Sequence, residues 1–146
     1  MDIKDKVLIK KPVKKVFKYL SNFNSHKKFT ELYKDSKVLS KTKKMAEGTE
    51  LFTKIIFLGR KIESTNQVVA FVPEKEIKYK TVDGPVPSEV HILLHPKDEE
   101  STEVEFSYQI EPGSFFNMEE IFLKPRLTDL VANSMKNLKR ILEAAA

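Results

Sequence analysis

The sequence predicts an α+β fold: a curved antiparallel sheet of about six to seven strands wrapped around one long C-terminal helix, with two short helices after the first strand. Three observations carry this. Alternating apolar and polar residues recur in short runs between Ile3 and Ile110, separated by glycine, proline and aspartate. The longest helical pattern comes last: Leu127, Leu130, Val131, Ser134, Leu138, Ile141 and Leu142 recur at three- and four-residue steps, which makes one mostly apolar stripe. The order of elements then leaves one sheet face for that helix to cover. A chain of 146 residues is expected to form one domain over 1–146.

Ile3, Asp5, Val7 and Ile9 alternate with Lys4, Lys6, Leu8 and Lys10, the period of a half-buried strand. Pro12 closes it and suits a helix start, because its missing N–H is not needed in a first turn. Val13, Val16, Phe17 and Leu20 mark the apolar face of that helix, and a second short helical piece is expected from Ser25 through Phe29, Leu32 and Tyr33. Val38 to Lys44 reads as a polar, peripheral strand, and Gly48 makes the next turn.

Thr49 to Leu58 and Lys61 to Val72 flank Gly59-Arg60, a Gly-X pair suited to a two-residue type II′ turn. That loop would place Phe57 opposite Ile62, Ile55 opposite Ser64, Thr53 opposite Asn66 and Leu51 opposite Val68. One face then carries Leu51, Thr53, Ile55, Phe57, Ile62, Ser64, Asn66, Val68 and Ala70. The other face, with Phe71 among four charged residues, is expected to meet solvent.

Pro73 ends that strand. Ile77, Tyr79 and Thr81 alternate in the next, and Asp83-Gly84-Pro85 is a turn. Val90, Ile92 and Leu94 follow, then a charged loop from Pro96 to Ser101, then Val104, Phe106, Tyr108 and Ile110 facing inward. Glu111-Pro112-Gly113 breaks the last strand, 114–123 is a partly helical lead-in, and Pro125 begins or kinks the long helix.

Composition narrows the function. The chain has no cysteine, which excludes disulfides, thiolate metal sites and cysteine nucleophiles. Its 26 basic residues against 21 acidic give a net charge of +5, but the lysines are scattered, so the charge reads as solvated surface and no DNA partner is expected. The N-terminus lacks the continuous apolar core of a signal peptide and no run reaches membrane-spanning length, so a cytoplasmic protein without membrane insertion is expected. Oligomeric state is open.

Several segments together resemble a known family. They are Ile9-Lys10-Lys11-Pro12-Val13-Lys14-Lys15-Val16-Phe17 at the first strand-to-helix step and Glu47-Gly48-Thr49 before the hairpin. Val68-Val69-Ala70-Phe71-Val72-Pro73 and the closing Asn137-Leu138-Lys139-Arg140-Ile141-Leu142-Glu143 complete the set. The layout is similar to the START-like, polyketide cyclase/dehydrase (SRPBCC) superfamily with its helix-grip fold. The resemblance implies a cavity between the sheet and the C-terminal helix that holds a lipophilic small molecule, with no cofactor.

The inward parity names the residues that would line such a cavity. Thr53, Ser64 and Asn66 form a polar cluster, Tyr79 and Tyr108 add hydroxyls, and Ile55, Val68, Val104 and Phe106 supply apolar wall. Leu127, Leu130, Val131 and Ser134 face them from the helix. A few convergent polar groups in an apolar wall orient a ligand. The same groups can instead satisfy one another or bind water, because each one buried without a partner costs roughly 1 to 3 kcal/mol.

No motif names a reaction. His91 and His95 share strand parity but lie about 13 Å apart, too far to bind one metal together, so no metal site is expected. His26 falls in a lysine-rich loop. Glu119-Glu120 could act as an acid or base at the cavity mouth, although glutamates at a helix start chiefly favour its dipole. Phe115, Phe116, Met118, Phe122 and Leu123 would pack over the sheet end or form an apolar gate. The expected function is binding of a lipophilic small molecule. The alternatives are a polyketide cyclase/dehydratase-like enzyme and a protein-partner or RNA-binding module.

Overall fold

The computed structural model describes residues 1–41 and 44–145. Seven strands form one antiparallel sheet: β1 Asp2–Ile9, β2 Asp35–Val38, β3 Glu50–Phe57, β4 Arg60–Val72, β5 Glu76–Asp83, β6 Ser88–Asp98 and β7 Ser101–Ile110. Their spatial order is β1-β7-β6-β5-β4-β3-β2, so β2 to β7 form a meander and the first two strands in sequence lie at opposite edges. The connection between those edges must cross a whole sheet face. Helix α1 (Val13–Leu20), a 3-10 turn (Phe23–Ser25) and α2 (His26–Phe29) make that crossing.

Helix α3 (Glu120–Ala144) covers the rest of the concave face. Its buried residues are Leu123, Leu127, Val131, Ser134, Met135, Leu138 and Leu142, a stripe that matches the sequence pattern and adds Met135. Leu130 and Ile141 flank it half-buried. Pro125 lies inside the helix and costs one backbone hydrogen bond near its N-terminal end. The C-terminal half is tied to β1: Glu143 accepts the Lys10 N–H at 2.8 Å, and Lys139 Nζ donates to the Leu8 carbonyl at 2.6 Å.

The hairpin departs from its predicted pairing. Phe57 pairs with Arg60, Ile55 with Ile62, Thr53 with Ser64 and Leu51 with Asn66, so the loop is Leu58-Gly59. Both loop residues have positive φ, 52° and 75°, the requirement of a type I′ turn. Leucine tolerates that backbone poorly, which is why the dipeptide does not announce the turn. The slip is by two residues, so the side chains up to Val68 keep their predicted face. Leu51, Thr53, Phe57, Ile62, Ser64, Asn66 and Val68 are buried as expected.

Beyond Val68 the prediction reverses. A bulge shifts the β4–β5 register between Val68 and Ala70, and Phe71 then pairs with the fully buried Ile77. One extra residue flips the side-chain parity. Phe71, expected outside, therefore packs on Phe17 with ring centroids 5.3 Å apart.

Smaller differences follow from local contacts. The strand expected over 38–44 lies at Asp35–Val38, where it pairs with β3, and Thr42 and Lys43 are outside the described residues. The helical piece from Ser25 stops at Phe29, leaving Leu32 and Tyr33 in the connection to β2. The charged run after Leu94 is not all loop, because β6 continues to Asp98 opposite Ser101.

Candidate functional site

The candidate site is a cavity of about 60 Å³ between the concave sheet face and the N-terminal half of α3. Of the residues expected on its wall, Thr53, Ile55, Ser64, Asn66, Tyr79, Tyr108 and Leu127 stand there. Val68, Val104, Phe106, Leu130, Val131 and Ser134 are not on the wall. An aromatic wedge from the α1–α2 crossover separates the two groups. Phe23 meets Tyr79 edge-on at 5.3 Å, and Phe29 meets Phe106 edge-on at 5.9 Å. Phe29 covers Phe106, and Val104 and Val131 are buried in the same core cluster.

Ser134 has a structural role. Its hydroxyl accepts the Glu31 N–H at 2.9 Å and donates to the Leu130 carbonyl at 2.7 Å, clipping α3 to the segment after α2. Asn137 adds a second clip by donating to the Phe29 carbonyl at 3.1 Å.

Two polar groups mark the wall. The first is a phenol pair, Tyr33 and Tyr79, whose hydroxyl oxygens lie 2.6 Å apart, with Tyr108 as a third phenol on the wall. Only one proton is shared in that pair, so one further O–H stays available to donate. The second is a ladder across β3, β4, β5 and β6. Asn66 Nδ2 donates to Thr53 Oγ1 at 3.1 Å, Thr81 Oγ1 donates to Asn66 Oδ1 at 3.3 Å, and Ser88 Oγ lies 3.4 Å from Thr81 Oγ1.

Apart from Ser64, the remaining wall is apolar. Phe57, Ile62, Val90, Ile110 and Phe116 contribute to it, and among the described residues no lysine, arginine, aspartate, glutamate or histidine does. Among the described residues the ionisable groups of the wall are the phenols. Burial pushes Tyr33 up to about 12, partly opposed by its hydrogen bond to Tyr79. Burial and the neighbouring phenols raise Tyr79 well above the ordinary value, and burial with the nearby Tyr33 does the same for Tyr108. All three stay protonated at neutral pH. They act there as neutral hydrogen-bond donors and not as bases.

Tyr33, Thr81 and Ser88 were absent from the sequence-derived site. Thr81 shares strand parity with Tyr79, and Ser88 shares it with Val90, so period-two counting carried a signal for both. Tyr33 carried none, because its position depends on where the crossover comes to rest. Gly84 matters for a different reason. A Cβ built there would lie 2.5 Å from Ser64 Oγ and 2.9 Å from Ser64 Cβ, so the β5–β6 turn rests directly on the wall. Gly84→Ala is expected to cost roughly 1 to 3 kcal/mol through overpacking, read as a fall in the urea midpoint; an unchanged midpoint would contradict this close approach.

The other candidates lie elsewhere. Glu119 and Glu120 are exposed, and Glu120 faces the N-terminal amine at 3.5 Å. His26, expected in a loop, is buried in the core and bonds the Leu20 carbonyl at 2.8 Å. His91 pairs with Glu76 at 2.6 Å on the opposite sheet face, and His95 is exposed. Among the described residues no group of three His, Asp or Glu could hold a metal ion, and no helix is long and apolar enough to cross a membrane.

The lead-in to α3 divides between packing and exposure. Phe116 meets Phe57 edge-on at 5.3 Å, and the Arg60 guanidinium sits 4.3 Å from the centre of the Phe115 ring while donating to the Phe115 carbonyl at 2.6 Å. Ile121 and Phe122 remain 71% and 61% exposed, so the expected apolar cluster is only half packed.

Comparison with known proteins gives a consistent pattern. The family described as polyketide cyclase / dehydrase and lipid transport matches residues 1–143. No curated protein matches the sequence. Among solved structures, TTHA0849 from Thermus thermophilus is similar with a TM-score of 0.82 at 14% identity, covering 100% of this chain and 99% of that one. The Zhui aromatase/cyclase from Streptomyces sp. R1128 has a TM-score of 0.77 at 11% identity, covering 98% of this chain and 93% of its own. A START superfamily protein from Mycobacterium smegmatis has a TM-score of 0.69 at 14% identity, with coverages of 98% and 94%. At these identities the likeness shows the fold alone.

Proposed function

We propose that this chain, which belongs to the polyketide cyclase / dehydrase and lipid transport family, binds a neutral lipophilic small molecule bearing a carbonyl or hydroxyl oxygen, in the cytoplasm. The observation that carries this reading is the wall's chemistry: apolar, without a charged side chain, and marked by the Tyr33–Tyr79 phenols and the Thr53–Asn66–Thr81–Ser88 ladder. An ionised headgroup would lose its hydration and gain no counter-charge there. A neutral oxygen would accept a phenol proton, and the rest of the ligand would lie against Phe57, Phe116 and Leu127.

Size refines the proposal. Pockets that enclose a drug-sized ligand measure roughly 300–1,000 Å³, well above the 60 Å³ present. The cavity thus admits the oxygen-bearing head, while the bulk of a larger ligand rests at the mouth beside Phe116. Binding is favoured over acid–base turnover, because the ionisable groups of the wall are phenols held protonated and are poor bases.

The probe for this reading is acetophenone, a compact neutral ketone, followed by NMR, together with native mass spectrometry of the protein as purified. Saturable shifts at Tyr79, Asn66 and Leu127 are expected, with Tyr79→Phe weakening binding about tenfold, the equivalent of one hydrogen bond. No retained molecule and no shifts at the wall would sink the proposal. In a cyclase-like enzyme Asn66→Leu and Tyr79→Phe would instead depress turnover far more than affinity.

A further inference from the structure

A second concavity lies outside the sheet, between α1 and the C-terminal end of α3, with a volume of about 330 Å³. Lys11, Lys15 and Lys18 line it together with Tyr19, Asn22 and Leu142, and no aspartate or glutamate does. Lys15 and Lys18, three residues apart, share one face of α1, and Lys11 lies just before the helix. Lys11 is fixed toward the end of α3 by its bond to the Ala145 carbonyl at 2.8 Å.

Some lysines outside the groove have carboxylate partners: Lys27 with Asp35, Lys61 with Glu63, Lys78 with Glu89 and Lys139 with Glu143. Among the described residues Lys15 and Lys18 have no such partner. The neighbouring Glu143 carboxylate is already engaged by Lys139 Nζ and the Lys10 N–H. The sequence reinforces this: from Lys6 to Thr30 there are eight lysines and no acidic residue, while the whole chain carries only +5. The lysines scattered over the rest of the chain obscure this local excess.

We propose that this groove binds a phosphate-bearing organic anion. Three ammonium groups around one concavity, with no carboxylate on its wall, favour a multiply charged partner. Lysine, a compact point charge with three rotatable donors, can approach a tetrahedral phosphate from several sides, and a phosphate concentrates more than one negative charge on a single group. The groove wall holds three lysines and no arginine. Its volume lies in the range of small-molecule sites, and Leu142 with the Tyr19 ring offers an apolar surface to the organic part. Asn22 adds a neutral polar side chain at the rim. The site is separate from the uncharged cavity, so the proposal does not rest on that cavity's ligand.

The test titrates the full chain with inorganic pyrophosphate at low salt and follows backbone amides by NMR. Saturable shifts confined to 11–25 and 142–145 are expected. Lys15→Gln/Lys18→Gln should weaken binding about tenfold or more and leave the thermal midpoint unchanged, since both side chains are exposed. Lys61→Gln/Lys97→Gln, which removes the same charge elsewhere, should leave binding intact. Glycerol 3-phosphate and vesicles containing phosphatidic acid are then tested as competitors, which separates a soluble phosphate from a lipid headgroup. Absence of saturable binding, equal weakening by the control pair, or failure of both competitors would overturn the proposal.

Discussion

Phe23→Ala is expected to lower the unfolding free energy by about 3 to 5 kcal/mol, the range for losing a buried phenylalanine. Phe23 is fully buried in the 3-10 turn and meets three other rings: His26 at 4.7 Å, Tyr79 at 5.3 Å and Tyr33 at 6.0 Å. The short turn that carries it is held to the sheet edge by Ser36, whose hydroxyl donates to the Phe23 carbonyl at 2.8 Å. Because the backbone is anchored there, the walls cannot collapse freely and the lost volume stays as a hole. For a chain of this size the thermal midpoint should fall by roughly 10 °C. The new apolar hole should also admit benzene, which would raise the urea midpoint more in the variant than in the wild type. A loss below about 1 kcal/mol would mean that Phe23 is not the wedge between the core and the phenol pair.

Acidification from pH 7 to pH 4 is expected to remove about 3 kcal/mol of stability through His26 alone. The side chain is 1% exposed, and burial lowers its pKa from 6.5 to about 4, against the opposing pull of the Leu20 carbonyl. That carbonyl accepts the Nε2–H, which fixes the neutral tautomer. The unfolded chain takes up the proton near pH 6.5, the folded chain only near pH 4. Between those values the unfolded state binds more protons, so the contribution is complete above about pH 6.5, falls with pH, and levels off below 4.

His26→Gln keeps an N–H for the Leu20 carbonyl and cannot titrate, so urea midpoints measured from pH 7 to 4.5 should be nearly flat in this variant. An equally steep fall in both proteins would rule out His26 as the cause. The depressed carboxyls act in the same direction but later. Asp35, held down first by its Lys27 hydrogen bond, and Asp98, by the Glu100 N–H, have ordinary values of 3.8 and lose their contribution only below that pH. Glu143, held down by Lys139 and the Lys10 N–H, does so below 4.5.

Much of the architecture is written in local periodicity. The helical stripe from Leu127 to Leu142 and the alternation from Val104 to Tyr108 each repeat one spacing for long enough that only one face can be apolar. Those patterns dictate strand, helix and buried face without reference to the rest of the chain. The wall residues Thr53, Ser64, Asn66, Tyr79 and Tyr108 were legible for the same reason, and even the wrong hairpin partner left them inward, because a slip of two preserves parity.

Three features depended on tertiary structure. The Val68/Ala70 bulge turned Phe71 inward, and nothing local distinguishes a strand that pairs continuously from one that yields a residue to sheet curvature. The crossover placed Phe23, Phe29 and Tyr33 over the sheet, and this covered Phe106 while completing the phenol pair. His26 moved from an expected surface loop into the core on the same crossover. The sequence by itself thus determined which side chains face inward wherever a strand or helix keeps one period, since that follows from backbone geometry. Only the tertiary structure decided how much of the inward face stays open, because that volume is what remains after non-local rings have packed against one another.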